Sequence, residues 1–313
     1  MSEIVLVHGI AQEQYSADLL ESRWLPALAG GVRTAGFPEV ADRIWRARGG
    51  PGGSEARMAF YGHLFLRPGA QGIEPDELSP EQAALAEGLA VEWLERAATR
   101  ASSDLERRTA EYELVDLRPG PGGQAQGVGS VVRGVWRRAA SLPWFARAGM
   151  AAATFVLRAL AQVTRYLTED DLRAEAQQLV LDRIGPQTKV LLGHSLGSVV
   201  AYEVARELER PLPLLITLGS PLGLDTIVYP RLRPQPPSFP RPVRHWVNVA
   251  DRDDLVAAEP DLTALFSATK PPDAMFEGGF TVENGAEPHS ALFYLGKVEV
   301  GRPVGQVLLT GVR

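Results

Sequence analysis

Lys189-Val-Leu-Leu-Gly-His-Ser-Leu-Gly-Ser-Val-Val-Ala-Tyr-Glu-Val-Ala-Arg206 is the stretch whose reading decides the fold. Val190-Leu191-Leu192 is a short apolar run, the form of a strand buried on both faces. Gly193-His194-Ser195-Leu196-Gly197 fits G-x-S-x-G. Val199, Val200, Tyr202, Glu203, Val204, Ala205 and Leu208 follow with the spacing of a helix that buries one side. Strand, tight turn and helix together form a nucleophile elbow. Such an elbow puts Ser195 in a strained backbone conformation, and side chains at 193 or 197 would collide with the neighbouring elements. The competing reading, a Gly-rich turn with an idle serine, loses weight because both flanks have the required character.

Working outward, Ile4-Val5-Leu6-Val7 is a second apolar run, ended by His8-Gly9-Ile10, and is expected to lie inside a sheet. Asp18 to Leu28 predicts a helix with Leu19, Leu20, Trp24 and Leu28 inward. Val40 to Trp45 and Arg57 to Leu66 read as strands around the glycine-rich turn 49–53, with His63 in a structural role. Pro80 to Arg108 predicts one long helix, with Ser79 as its N-cap and Pro80 in the first turn. Residues 119–130 are a Gly-rich hinge. Thr168 to Asp171 would cap a helix over Leu172 to Ile184. Leu212 to Leu218 and Val243 to Val249 complete the buried strands. Strands alternating with helices predict an α/β chain with a mostly parallel, doubly wound sheet. The expected organisation is a core of 1–69 and 169–313, with 70–168 as a helical lid or cap insertion.

Composition narrows the partners. The chain has 313 residues, 45% of them hydrophobic, so a large core can be buried. A net charge of −6 argues against nucleic acid. Cysteine is absent, which removes thiolate nucleophiles and Cys-based metal sites, and the five histidines show no ligand spacing. No metal or other cofactor is expected. The first residues lack a basic segment followed by a long apolar one, and no apolar run reaches about 18 residues, so the expectation is a cytoplasmic protein. Residues 131–167 combine Trp136, Trp144, Phe145 and Phe155 with Arg133, Arg137, Arg138, Arg147, Arg158 and Arg165, and contain no acidic residue. That pattern suits a packed cap, a lid, or peripheral contact with an anionic membrane.

An activated serine needs a base and a group that orients the base. In α/β-hydrolases the chain order is Ser, then Asp or Glu, then His. Only His245 and His289 follow Ser195. His245 lies within a strand and precedes the acidic loop Asp251-Arg252-Asp253-Asp254, which breaks that order. His289 follows the loop and is the expected base. Asp251, Asp253 and Asp254 all lie just past the C-terminal end of a strand, where ligands gather in open α/β sheets, and any of them could be the acid.

Leu-Val-His-Gly-Ile at 6–10, Gly-His-Ser-Leu-Gly-Ser at 193–198, Thr-Leu-Gly-Ser-Pro-Leu at 217–222 and Pro-His-Ser at 288–290 resemble lipase-like α/β-hydrolases. The nearest likeness is to GPI inositol-deacylase-like serine hydrolases and DDHD-type phospholipases, over roughly 1–66 and 170–313. In those families an Asn on a strand precedes a loop ending Asp-Pro-Val-Ala. Asn248 and Asp254-Leu-Val-Ala257 fall in that register, with Leu255 replacing Pro, which favours Asp254 as the acid. The resemblance implies an α/β-hydrolase fold, from which this sequence departs in starting at the His-Gly strand, without the two leading strands of larger members. It also implies a Ser195–His289–Asp254 triad, and an oxyanion hole from the N–H groups of Ile10 and Leu196, with His8, Gly9 and His194 bordering the substrate. The implied reaction is hydrolysis of a small-molecule or lipid-like carboxylic ester through an acyl-enzyme. The same triad serves thioesterases, acyltransferases and amidases, and a non-catalytic membrane- or protein-binding module is the rival from another class.

Overall fold

Alternation along the strands separates two cores. Ile4, Leu6, Val190, Leu192, Leu214, Ile216, Val247 and Val249 pack on one side of the sheet, whereas Val5, Val7, Leu191, Leu215 and Trp246 pack on the other. Both sets are buried, as expected when helices cover both faces. The computed structural model describes residues 2–48, 50, 52–66, 78–117, 152–257 and 259–309. Its sheet has six parallel strands: β1 (Ile4–Val7), β2 (Ala56–Ala59), β3 (Val190–His194), β4 (Leu212–Leu218), β5 (Val243–Asp251) and β6 (Met275–Val282). They lie in the order β2-β1-β3-β4-β5-β6.

The order dictates which helices go where. Right-handed crossovers put the β1-to-β2 connection on one face and the connections running from β2 through β6 on the other. Accordingly α1 (Ala17–Thr34) and α2 (Pro38–Ile44) share the first core. On the second face lie α3 (Pro80–Arg100), α4 (Asp104–Leu117), α5 (Ala152–Thr168), α6 (Asp170–Leu181), α7 (Leu196–Glu207) and the short α8 (Thr263–Phe266). After β6, α9 (Ala291–Leu295) and α10 (Val298–Leu309) return to the side of α1. The chain therefore leaves β1 in one direction and reaches β3 in the other. A crevice opens at that switch point, outside the carboxyl ends of the strands.

Several expectations need correction. Val40 to Trp45 is not a strand: Pro38 opens a helix there, and Val40, Ala41 and Ile44 form its buried face. The strand expected to Leu66 ends at Ala59, because Tyr61 and Gly62 give their N–H groups to the His8 ring and the chain then coils tightly through 62–65. Within that coil His63 is exposed and stacks on Phe60, so the structural role expected for it is at most a surface one. Leu19 is exposed, while Leu20, Trp24 and Leu28 are buried as expected. The helix expected over 80–108 breaks at 101–103, where the Asp253 carboxylate takes both the N–H and the hydroxyl of Ser102.

Helices α3 and α5 bury Leu89, Trp93, Leu160, Val163 and Tyr166 in the same core as the strands. The described part of 70–168 is thus built into the second helical layer. The Gly-rich hinge 119–130, and Arg133, Arg137, Arg138 and Arg147 of the basic stretch, lie outside the described residues. Among the described residues, no helix is long and apolar enough to cross a membrane.

Candidate active site

Ser195 sits between the last residue of β3 and the first of α7, with φ 55° and ψ −131°. A non-glycine residue rarely adopts a positive φ, and here three backbones meeting at one point impose it. A Cβ on Gly193 would lie 2.4 Å from the Gly197 carbonyl oxygen, and one on Gly197 would lie 2.2 Å from that of His8. Backbone cannot yield as a side chain can, so both positions require glycine. The turn is held from outside by the Ser195 N–H, which donates to the Leu218 carbonyl at 2.9 Å, and by the Ser198 hydroxyl, which donates to the Ser195 carbonyl. The Ser195 Oγ is itself buried and makes no hydrogen bond among the described residues. Leaving a buried hydroxyl unpaired costs about 1–3 kcal/mol, a sacrifice found where a group is kept for chemistry.

The loop after β1 lies directly against this turn, since Val7 pairs with Gly193 and a Cβ on Gly9 would be 2.7 Å from the Ser195 Cβ. His8 is buried beneath the loop. Its Nε2 accepts from the N–H groups of Tyr61 (3.1 Å) and Gly62 (3.2 Å), so its Nδ1 carries the proton and donates to the Gly9 carbonyl at 2.7 Å. Burial pushes the His8 pKa down to about 4, which keeps the ring neutral. Both ring nitrogens are spent on backbone and His8 does not line the cavity. The expectation that it borders substrate therefore gives way to a supporting role. Holding the Gly9 carbonyl turns the trans-related N–H of Ile10 the opposite way. That N–H has no partner among the described residues, whereas the next one, on Ala11, is taken by Gln162 of α5 at 2.8 Å. The Leu196 N–H belongs to the first turn of α7, where no intrahelical acceptor exists.

His289 follows β6, and its Nδ1 lies 2.8 Å from Asp254 Oδ2. The Asp254 side chain is fully buried. Its Oδ1 accepts from the Val256 N–H at 3.0 Å, and its Oδ2 also accepts from the Tyr294 hydroxyl at 2.8 Å. The structure therefore separates the three acidic candidates. Asp253 holds Ser102, and Asp251 accepts from the Asp253 and Asn284 backbones, with burial raising its pKa. His245 is engaged elsewhere, with Nε2 2.5 Å from Glu277. His194 donates from Nε2 to the His289 carbonyl at 3.0 Å, and burial with the nearby His289 keeps it neutral. Asn248 is buried at the strand core, giving hydrogen bonds to the Pro260 and Gly278 carbonyls.

Gly9, Ile10, His194, Ser195 and His289 line one cavity of about 250 Å³, walled by Leu20, Trp24 and Leu292. An electrophilic carbon held there would meet an unpaired hydroxyl, an imidazole oriented by a carboxylate, and a free backbone N–H. Oriented in this way, those groups can carry out acyl transfer. Apo sites commonly lack the hydroxyl–imidazole bond, as this one does at Ser195. No cluster of three or more His, Asp or Glu able to hold a metal occurs among the described residues. Comparisons with protein-family models, curated proteins and solved structures returned no match.

Sequence reasoning missed two residues here. Tyr294 lies five positions after His289, inside an apolar quartet that reads only as core. Gly219, at φ 51°, leaves the space in which Asp254, Tyr294 and His289 meet: a Cβ there would be 2.7 Å from Asp254 Oδ2 and 3.2 Å from His289 Nδ1. The glycine of Thr-Leu-Gly-Ser-Pro was visible, but the contact that demands it joins three segments, those after β4, β5 and β6.

Proposed function

We propose that the chain is a serine hydrolase of carboxylic esters with an α/β-hydrolase architecture, with which the six-stranded parallel sheet is compatible. One observation carries the proposal: a strained Ser195 with an unpaired Oγ shares a cavity with His289, whose Nδ1 is held by buried Asp254. Ser195 Oγ attacks the ester carbonyl while His289 Nε2 takes its proton, and the N–H groups of Ile10 and Leu196 receive the oxyanion. The proton passes to the leaving alcohol. Water then adds to the acyl-enzyme with His289 again as base, releasing the acid and restoring Ser195.

Hydrolysis of p-nitrophenyl esters of graded acyl length tests the proposal. Ser195→Ala is expected to lower kcat about a million-fold and to abolish labelling by a fluorophosphonate. A Ser195→Ala protein as active as the parent would exclude this role for Ser195.

A further inference from the structure

A carboxylate withdrawn from water keeps its charge only where donors replace the lost solvent. Asp254 meets four: the N–H groups of Val256 and Ala257 on Oδ1, and His289 Nδ1 and the Tyr294 hydroxyl on Oδ2. The Tyr294 oxygen in turn accepts from the Asp251 N–H at 2.7 Å. A continuous relay results, from the Asp251 amide through the Tyr294 hydroxyl to the oxygen that His289 uses. Each bond in such a chain polarises the next.

We propose that Tyr294 is a positioning residue of this site, its hydroxyl both fixing Asp254 Oδ2 on the His289 axis and limiting the negative charge that oxygen offers the imidazole. The inference rests on the acyl-transfer role given above to Ser195, His289 and Asp254. A phenylalanine would fill the same place in the apolar core that α9 shares with α1 and the sheet. The hydroxyl, by contrast, is spent on the one carboxylate oxygen that faces the base. Burial, with the Asp254 charge beside it, pushes the phenol well above its ordinary value, so it remains a donor at neutral pH. The titratable groups facing Tyr294 are Asp251 at the end of β5, Asp254 just after it, His289 after β6 and His194 at the end of β3, whose ring lies 6.1 Å away. The neighbouring β4 contributes uncharged Gly219, and α1 contributes apolar Leu20 and Trp24.

Two replacements at position 294 test this: Tyr294→Phe, which deletes the donor, and 3-fluorotyrosine, which strengthens it without changing shape. Tyr294→Phe concentrates charge on Oδ2 and better stabilises the imidazolium. The acid limb of kcat/KM on p-nitrophenyl acetate should then move up by about half a pH unit, and kcat should fall roughly ten-fold at unchanged KM. Fluorotyrosine should move the limb the other way. Opposite displacements are something a merely structural tyrosine would not produce. Both proteins keeping the parent's limb and kcat, whatever happens to Tm, would overturn the proposal. Should Tyr294→Phe fail to fold, the fluorotyrosine protein decides alone. NMR titration of the His289 imidazole reads the same displacement without substrate. A parent that neither hydrolyses esters nor labels at Ser195 would thus refute the acyl-transfer reading, and the imidazole titration would still judge Tyr294.

Discussion

Two buried carboxylates in this molecule are built from nearly the same parts. Asp254 accepts from Tyr294, from His289 and from backbone amides. Glu203, on α7, accepts from Tyr166 at 2.6 Å, from Gln177 and Arg173, and from the Arg233 amide. The partner nitrogen makes the difference. Arg173 carries a permanent charge, and its pair with Glu203 clamps α5, α6, α7 and the segment at 231–233 together. His289 can gain and lose a proton, and it faces the cavity that holds Ser195. On the acyl-transfer reading proposed above, a tyrosine–carboxylate–nitrogen cluster is a rivet when its nitrogen keeps a permanent charge, and part of a reactive site when that nitrogen is an imidazole facing a cavity.

The contrast can be broken at either end. Asp254→Asn should lower kcat by about four orders of magnitude, since the amide no longer holds the imidazole with Nδ1 protonated. Tm should change little. Ester kinetics beside a melting curve would show it, and an Asn variant retaining more than a tenth of parental kcat would remove Asp254 from the reactive set. Glu203→Ala should do the reverse, because it strands a buried guanidinium. A loss of about 3–5 kcal/mol in urea unfolding is expected, with kcat unchanged at temperatures where the variant is folded. Equal effects of the two changes on kcat would erase the distinction.

A third, smaller effect sharpens the comparison, because His8 is a buried ring that must stay neutral. Its folded pKa of about 4 lies below the ordinary 6.5, so between these values the unfolded chain binds the extra proton. Its contribution is fully present above pH 6.5 and is lost as pH falls toward 4, on the order of 3 kcal/mol at most. Calorimetric melting from pH 7 to 4 should show the decline, and His8→Asn should flatten it. A slope unchanged in that variant would mean His8 is not the group responsible.

Legibility followed the range of the forces involved. The strands β1, β3 and β4 could be read because a strand buried on both faces leaves an apolar run, and most of β5 because Val243, Trp246, Val247 and Val249 stand out among its polar residues. By contrast β6 is an edge strand with mixed exposure and two glycines, Gly278 and Gly279, and has no such run. The stretch at Val40 was misread because so short a segment with Val40, Ile44 and Trp45 as its large apolar residues suits either structure until Pro38 and the contacts of α2 with α1 and α10 are taken into account. Ser195, the Gly9–Ile10 turn and His289 were legible because glycines and chain order mark them. The choice among Asp251, Asp253 and Asp254 was tilted toward Asp254 only by the resemblance at Asp254-Leu-Val-Ala257, because all three share one acidic stretch and differ chiefly in what the fold brings to them.

By itself the sequence determined an α/β chain with a mostly parallel sheet and a serine on a strained turn between a buried strand and a helix, since local backbone sterics and apolar periodicity act within a few residues. Only the tertiary structure decided which carboxylate meets His289, why position 219 must be glycine, and that Tyr294 and His8 support the site from beneath. Those relations join β1, β3, β4, β5 and β6 at their carboxyl ends. Hydrogen bonds between segments that far apart in the chain depend on where the sheet places them, and leave no periodic trace in the residues that make them.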